Sequence, residues 1–357
     1  MARIELVDLA HSYAPAGADG VASWALKPMT MTWDDGGAYA LLGPSGCGKS
    51  TLLNLISGLL IPTRGRILFD GVDVTTAPPQ QRNIAQVFQF PVIYDSMTVR
   101  ENLEFPLRNR GWGAAAARRR AEQIGEMLEL TTELDRRASG LGADLKQKIS
   151  LGRGLVRTDV AAVLFDEPLT VIDPHLKWLL RRKLKQIHHE LRLSLIYVTH
   201  DQTEAMTFAD RIVVMTQGEV VQEATPAELF ERPAHRFVGY FIGSPGMNFI
   251  PAEWHDGMAR VAGVPVATQS RKHSPSASPV IGVRPEQLEA RTAPGPNSVP
   301  ARILDIQDLG THVIGILDVA GTRVRARLPD AATAATLTHL HIPPERSALY
   351  VDDWRLE

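Results

Sequence analysis

The sequence predicts an α/β fold of P-loop type, a mostly parallel sheet covered by helices on both faces, followed by a small all-β, OB-like domain. Three observations predict it. Short apolar runs alternate with helix-period stretches over the first 240 residues. A glycine-rich loop at Gly43–Ser50 joins one such run to a helix. Near residue 240 the pattern changes to short β-type segments divided by Pro and Gly.

Ile4–Leu9 alternates apolar and polar residues and reads as a strand, followed by a Gly/Ala/Pro loop from Ala14 to Gly20. Ala38–Leu42 is an apolar run ending in Gly43, a buried strand entering a turn. Ser50–Leu60 spaces Leu52, Leu53, Ile56 and Leu59 as a helix does. A turn at Pro62–Gly65 leads into a strand at Arg66–Phe69. Ala114–Leu130, rich in Ala, Arg and Glu, is a helix. Its Arg118-Arg119-Arg120 triplet reads as a solvated face in preference to a phosphate or lipid patch. Val160–Phe165 is a wholly apolar strand. Pro174–Leu193 is a long helix with Pro in its first turn and Asp173 as N-cap. Leu195–Thr199 and Ile212–Met215 are further strands. In the tail the strands are Val280–Val283, Arg302–Leu309, Val313–Val319 and Val324–Leu328, and Arg271–Pro279 is a Ser/Pro-rich loop. The domains are expected at 1–240, with a helical region at about 90–158, and at 241–357.

A chain of 357 residues accommodates two domains with cores of their own. Lys plus Arg number 38 against 40 for Asp plus Glu, a net charge of -2, so no broad basic field marks nucleic acid as a partner. Cys47 is the one cysteine, which excludes an internal disulfide and a cysteine-rich zinc module. No run of about 18 apolar residues occurs, and Met1–Asp8 lacks an uninterrupted apolar core, so no secretory signal is expected. A cytoplasmic location is expected, with any membrane role arising through a partner.

Gly43-Pro44-Ser45-Gly46-Cys47-Gly48-Lys49-Ser50 fits G-x-x-x-x-G-K-[ST], with Thr51 next. Glycines let backbone N–H groups curl around a phosphate, and the following helix adds partial positive charge at its N-terminus. Lys49 supplies charge to the outer phosphates, and the Ser50 hydroxyl can ligate Mg²⁺. Val163-Leu164-Phe165-Asp166-Glu167-Pro168 completes such a site. Asp166 ends an apolar strand, where a carboxylate can hold the Mg²⁺ shell, and Glu167 can take a proton from an attacking water.

With these motifs in order, the chain resembles the ATPase subunits of ABC transporters, and more closely the carbohydrate-importer branch typified by the maltose importer. The resemblance covers nearly the whole chain. It implies ATP and Mg²⁺ as cofactors, with Lys49, Glu167 and His200 catalytic and Ser50, Gln89 and Asp166 around the metal. It places Tyr13 where the family stacks a ring on adenine. Gln89 falls in its Q-loop, which also contacts the permease, and Asp173 in its D-loop. His200, in Val198-Thr199-His200-Asp201, falls at its γ-phosphate-sensing histidine. Read without that order, Tyr13 is a half-buried strand aromatic, Gln89 a surface amide and His200 a histidine at a strand end; His188 and His189 are structural. In the tail, Gly243–Phe249 and Gly282–Glu286 resemble the branch's oligomer-binding-type (TOBE-type) regulatory domain. The implied partners are a second ATPase subunit, two transmembrane permease subunits and, indirectly, a solute-binding protein. The implied location is the cytoplasmic face of the plasma membrane.

The sequence departs from this family at its signature, Leu-Ser-Gly-Gly-Gln, which reaches the γ-phosphate held by the opposite subunit. Here the aligned segment is Leu141-Gly142-Ala143-Asp144-Leu145; Ser139-Gly140 would need three extra residues to serve instead. Gly142 lacks the hydroxyl, Ala143 restricts backbone approach, and Leu145 lacks the polar side chain. Asp144 sets a carboxylate near a polyanion, which at ~4 Å and an effective dielectric of ~20 costs about 4 kcal/mol unless the residue instead caps the helix. The site built with Gly142, Ala143 and Asp144 is expected to hydrolyse poorly, so the expected ATPase partner is non-identical. The segment Phe90-Pro91-Val92-Ile93-Tyr94-Asp95 after Gln89 also departs from common sugar importers. The two departures together look like two-ATPase importers for glycerol, glycerol 3-phosphate or related polyols. The competing readings are an ATP-holding regulatory subunit with little turnover, and a non-transport ABC ATPase.

Overall fold

The most apolar stretches form the centre of a mixed sheet. The structure, a computed structural model, describes residues 1–14, 23–269 and 278–356. Residues 15–20 of the first expected loop and 271–277 of the second lie outside the described residues. Two units divide the chain at Pro226 and Ala227.

The first unit runs β1 (Ile4–His11), β2 (Leu26–Trp33), β3 (Ala38–Leu42), α1 (Lys49–Ser57), β4 (Arg64–Phe69), β5 (Val72–Asp73), α2 (Pro79–Arg82) and β6 (Ala85–Val87). It continues α3 (Val99–Arg108), α4 (Ala114–Met127), α5 (Ala143–Leu155), β7 (Val163–Asp166), α6 (Pro174–Leu191), β8 (Leu195–Thr199), α7 (Gln202–Phe208), β9 (Arg211–Thr216) and β10 (Glu219–Ala224). The larger sheet has the order β10-β9-β3-β8-β7-β6, parallel except for β10. The second sheet, β2-β1-β4-β5, is antiparallel. One core holds Leu6 and Ile67 of the small sheet, Leu52, Leu53 and Ile56 of α1, and Leu41, Leu164 and Val198 of the large one. Each such side chain contributes about 1.5–3 kcal/mol on burial, so α1 is fixed between the sheets.

α3 opens with a capping box in which Thr98 and Glu101 bond each other's backbone N–H. Asp173 caps α6 as expected, accepting from the His175 N–H at 2.9 Å. The arginine triplet on α4 departs from the expected solvated face. Arg118 is exposed and paired with Glu122, but Arg120 is buried and donates to the carbonyls of Val156 and Leu155. A buried guanidinium here satisfies the C-terminal carbonyls of α5, which otherwise lack partners. Arg82 does the same for α1, bonding Leu55 O, Ile56 O, Thr75 O and Ala77 O. Burial lowers the pKa of both guanidinium groups, against a weaker opposing pull from Asp73 at Arg82. Among the described residues no helix is long and apolar enough to cross a membrane.

The second unit packs short antiparallel sheets around Ile281, Leu317, Val324, Leu340 and Leu349. One sheet joins Asn248–Pro251, Val280–Val283, Ser347–Val351 and Trp354–Arg355; another joins Arg302–Asp308, Val313–Val319 and Thr322–Leu328. The unit also takes in residues 227–240, ahead of the boundary expected at 240/241. Arg284, 1% exposed, is one tie: it donates to the carbonyls of Phe230, Gly239 and Ile242 and lies over the Phe230 ring at 4.0 Å, while the Tyr350 hydroxyl donates to Pro233 O.

Candidate functional site

Strand register builds the site. Leu42 is level with Thr199, Asp166 with Val198, and Val87 with Phe165. The residues that follow, Gly43, His200, Glu167 and Gln89, therefore leave adjacent strands at the same edge of the sheet. That edge is the carboxyl end of the parallel strands, where open α/β sheets bind ligands.

The Gly43–Ser50 loop leaves β3 and enters α1 with Gly48 at its N-cap. Gly48 holds φ at +105, where a side chain is strained, and a Cβ on Gly43 would fall 2.2 Å from Met215 O. Pro44, Ser45 and Gly46 face outward, while Cys47 is 3% exposed. Burial pushes the Cys47 thiol up, against the pull of Lys49. Lys49 is buried and donates from Nζ to Gly43 O at 2.8 Å and Pro44 O at 3.0 Å, so its charge sits inside the loop's curve. An ammonium there, beside the N-terminus of α1, favours a polyanion. Thr51 shares a hydrogen bond with the Tyr13 hydroxyl at 3.0 Å. Tyr13 is 64% exposed and meets His11 edge-on at 4.8 Å. It therefore stands free of the core, unlike a half-buried strand aromatic.

Ser50 Oγ lies 3.3 Å from Asp166 Oδ1. Burial pushes the Asp166 carboxyl up, Glu167 beside it adds to the rise, and Ser50 and Lys49 oppose it. A hydroxyl beside a crowded carboxylate suits a hard divalent cation arriving with a triphosphate. Among the described residues no group of three or more His, Cys, Asp or Glu side chains is placed to hold a metal unaided. Gln89, half-buried one residue past Phe88, leaves the next strand over.

Glu167 takes a left-handed backbone conformation, φ 46. Its N–H bonds Val198 O at 3.0 Å. Its Oε2 meets Thr170 Oγ1 at 3.2 Å and His200 Nδ1 at 3.0 Å. Strained backbone fixed from several sides is the usual setting of a working side chain. Thr170 escapes motif reasoning, although its position three residues on in the same turn is a signal.

The signature-aligned segment begins α5, an element that packs on α3, α4 and β6. Gly142 is the N-cap, and Asp144 lies inside the first turn without a side-chain cap bond, which corrects the alternative reading of Asp144 as the cap. The reason is register: the helix starts at Ala143, and its dipole still favours an acid in that turn. Ala143 is exposed and Leu145 half-buried. His188 is buried in α6 with Nδ1 2.9 Å from Leu193 O, consistent with a structural role.

Comparison with known proteins agrees with this geometry. The family profile described as "ABC transporter" matches residues 26–170, and that described as "TOBE domain" matches residues 281–346. The sn-glycerol-3-phosphate import ATP-binding protein UgpC of Cereibacter sphaeroides is 38% identical over 354 residues, covering 99% of this chain and 98% of the relative. The protein of the same name from Ruegeria sp. is 39% identical over 358 residues, covering 98% and 97%. Among solved structures, cbiO1 from Clostridium perfringens, described as part of the ABC transporter complex cbiONQ, matches with a TM-score of 0.58 and 26% identity. That match covers 64% of this chain and 90% of the other.

Proposed function

The chain belongs to the ABC transporter family of import ATP-binding proteins, and from that premise we propose how its residues divide the work. It is the ATP-binding and ATP-hydrolysing subunit of an importer, peripheral to the membrane and acting with permease subunits. The single observation that carries the mechanism is the strand register that sets the Gly43–Ser50 loop, Asp166, Glu167 and His200 at one sheet edge.

The loop amides and Lys49 cradle the triphosphate, and Tyr13 offers its exposed ring to the adenine. Ser50, Gln89 and Asp166 would hold Mg²⁺, which when bound would screen the phosphate charge. Glu167 takes the proton of the attacking water, and His200, held against it, senses the γ-phosphate. Phe90 is 68% and Val92 53% exposed, an apolar strip suited to permease contact. The names of the relatives support sn-glycerol 3-phosphate, or a related polyol, as cargo.

Gly142, Ala143 and Asp144 support a partner ATPase with an intact signature: in the resulting pair, this chain's own loop and Glu167 form the competent site. ATPase assays on this chain alone and on the complex that co-purifies with its permease subunits test the reading. The complex hydrolyses ATP, Glu167→Gln abolishes that activity, and the chain alone is slow. Fast hydrolysis by the isolated chain refutes the unlike partner. Hydrolysis indifferent to Glu167→Gln favours a subunit that holds ATP for regulation.

A further inference from the structure

Gln147 lies on α5, five residues past the helix N-cap, and is fully buried. Its Nε2 donates to Pro168 O at 2.5 Å, across 21 residues of sequence. Pro168 directly follows Glu167, so this bond fixes the carbonyl just beyond the strained φ of the base. The amide orientation is forced, because the opposite one would set oxygen against oxygen. Gln147 Oε1, in contrast, has no hydrogen-bond partner among the described residues.

A buried amide with one orphaned acceptor is a poor device for stability. An apolar side chain of the same length would remove that orphan but leave Pro168 O without its donor, so the exchange is close to neutral for stability. The feature that Gln147 alone supplies is the donor to Pro168 O. The Glu167 turn is then held on its N-terminal side by Val198 O and on its C-terminal side by Gln147.

The same helix holds the segment after Gln89. Lys146 pairs with Asp95 at 2.9 Å, Ser150 Oγ accepts from Val92 N at 3.3 Å, and Arg153 lies over the Tyr94 ring at 4.6 Å. α5 thus touches the base's turn with one side chain and the Val92–Asp95 segment with three others.

We infer that Gln147 is a positioning residue for hydrolysis: its amide sets the Glu167 carboxylate for water activation and ties that setting to α5. This rests on the functional reading above. The test uses the importer complex purified with its permease subunits, comparing wild type with Gln147→Met and Gln147→Leu. Steady-state ATPase, equilibrium ATP binding and thermal unfolding are measured on each.

The expected result is a kcat lowered ~10- to 100-fold, the loss typical of a reacting group misplaced by about an ångström. KM and Kd for ATP stay within about twofold, and the unfolding midpoint shifts little, because one unpaired buried acceptor replaces another. An unchanged kcat overturns the inference while leaving the functional reading intact. A lowered midpoint with normal kcat, or loss of ATP binding together with kcat, overturns it in favour of a structural role. A wild-type complex without ATPase activity overturns the functional reading and the inference with it.

Discussion

His200 Nδ1 lies 3.0 Å from Glu167 Oε2, joining the ends of two neighbouring strands. The contact leaves the histidine ring 52% exposed while the carboxylate is 20% exposed. The imidazole thus reaches toward the ligand side while steadying the base.

His200→Ala is expected to lower ATP turnover in the complex by ~10²–10³-fold, the cost typical of losing one transition-state contact. Nucleotide affinity should change by no more than about twofold, because Lys49 and the loop amides remain. Single-turnover hydrolysis with separate equilibrium binding checks both. An equal fall in affinity would assign His200 to nucleotide grip instead.

Restoring the signature in one step, with Gly142→Ser, Ala143→Gly, Asp144→Gly and Leu145→Gln together, should raise the ATPase of the isolated chain tenfold or more. Removing Asp144 lifts a repulsion of about 4 kcal/mol at short range, and the new hydroxyl adds a donor. α5 should persist, since its cap is already a residue without a side-chain bond. If the repaired chain stays as slow as the parent, the segment is not what limits it.

Cys47 should react slowly with N-ethylmaleimide at pH 7.5, because it is buried and its thiol is pushed up. The rate should climb about tenfold per pH unit through and beyond the ordinary thiol pKa of ~8.5. ATP should slow it further, and the modified protein should lose ATP binding. Rapid labelling with no protection by ATP would contradict the place given to this loop.

His188 contributes to the pH dependence of folding below neutrality. Desolvation holds its pKa below the usual histidine value, outweighing the bond to Leu193 and the nearby Asp210. The folded ring stays neutral where the unfolded one takes up a proton. Stability is therefore full above pH ~6.5 and falls as pH drops from there toward the lowered pKa, by at most ~1.4 kcal/mol per unit. Thermal midpoints at pH 7.5 and 5.5 measure the loss, and His188→Gln should flatten it. An unaltered slope in the variant would place the proton uptake elsewhere.

Much of the first unit is legible from sequence because its central strands are apolar runs with no other stable use. Ala38–Leu42 begins and ends where its apolarity does, and Leu195–Thr199 runs one residue past its apolar stretch. The phosphate loop is legible because its glycines and lysine do something only that order of residues allows. Arg82, Arg120, Arg284 and Gln147 are not, because polar side chains in a periodic pattern read as exposed. Their burial depends on carbonyls at Leu55, Leu155, Ile242 and Pro168, which are remote in sequence or belong to helix ends. Asp144 shows the same limit at closer range, since a one- or two-residue shift of a helix start separates a cap from a first-turn acid.

The arginine at 284 also dictates where the gene can be dissected. A tail expressed from residue 241 would drop the backbone oxygens of Phe230 and Gly239 and strip the aromatic ring from one face of that cation. The remnant would enclose a positive charge short of acceptors, a recipe for insolubility. Cloning from codon 227 keeps every one of those groups with the fragment.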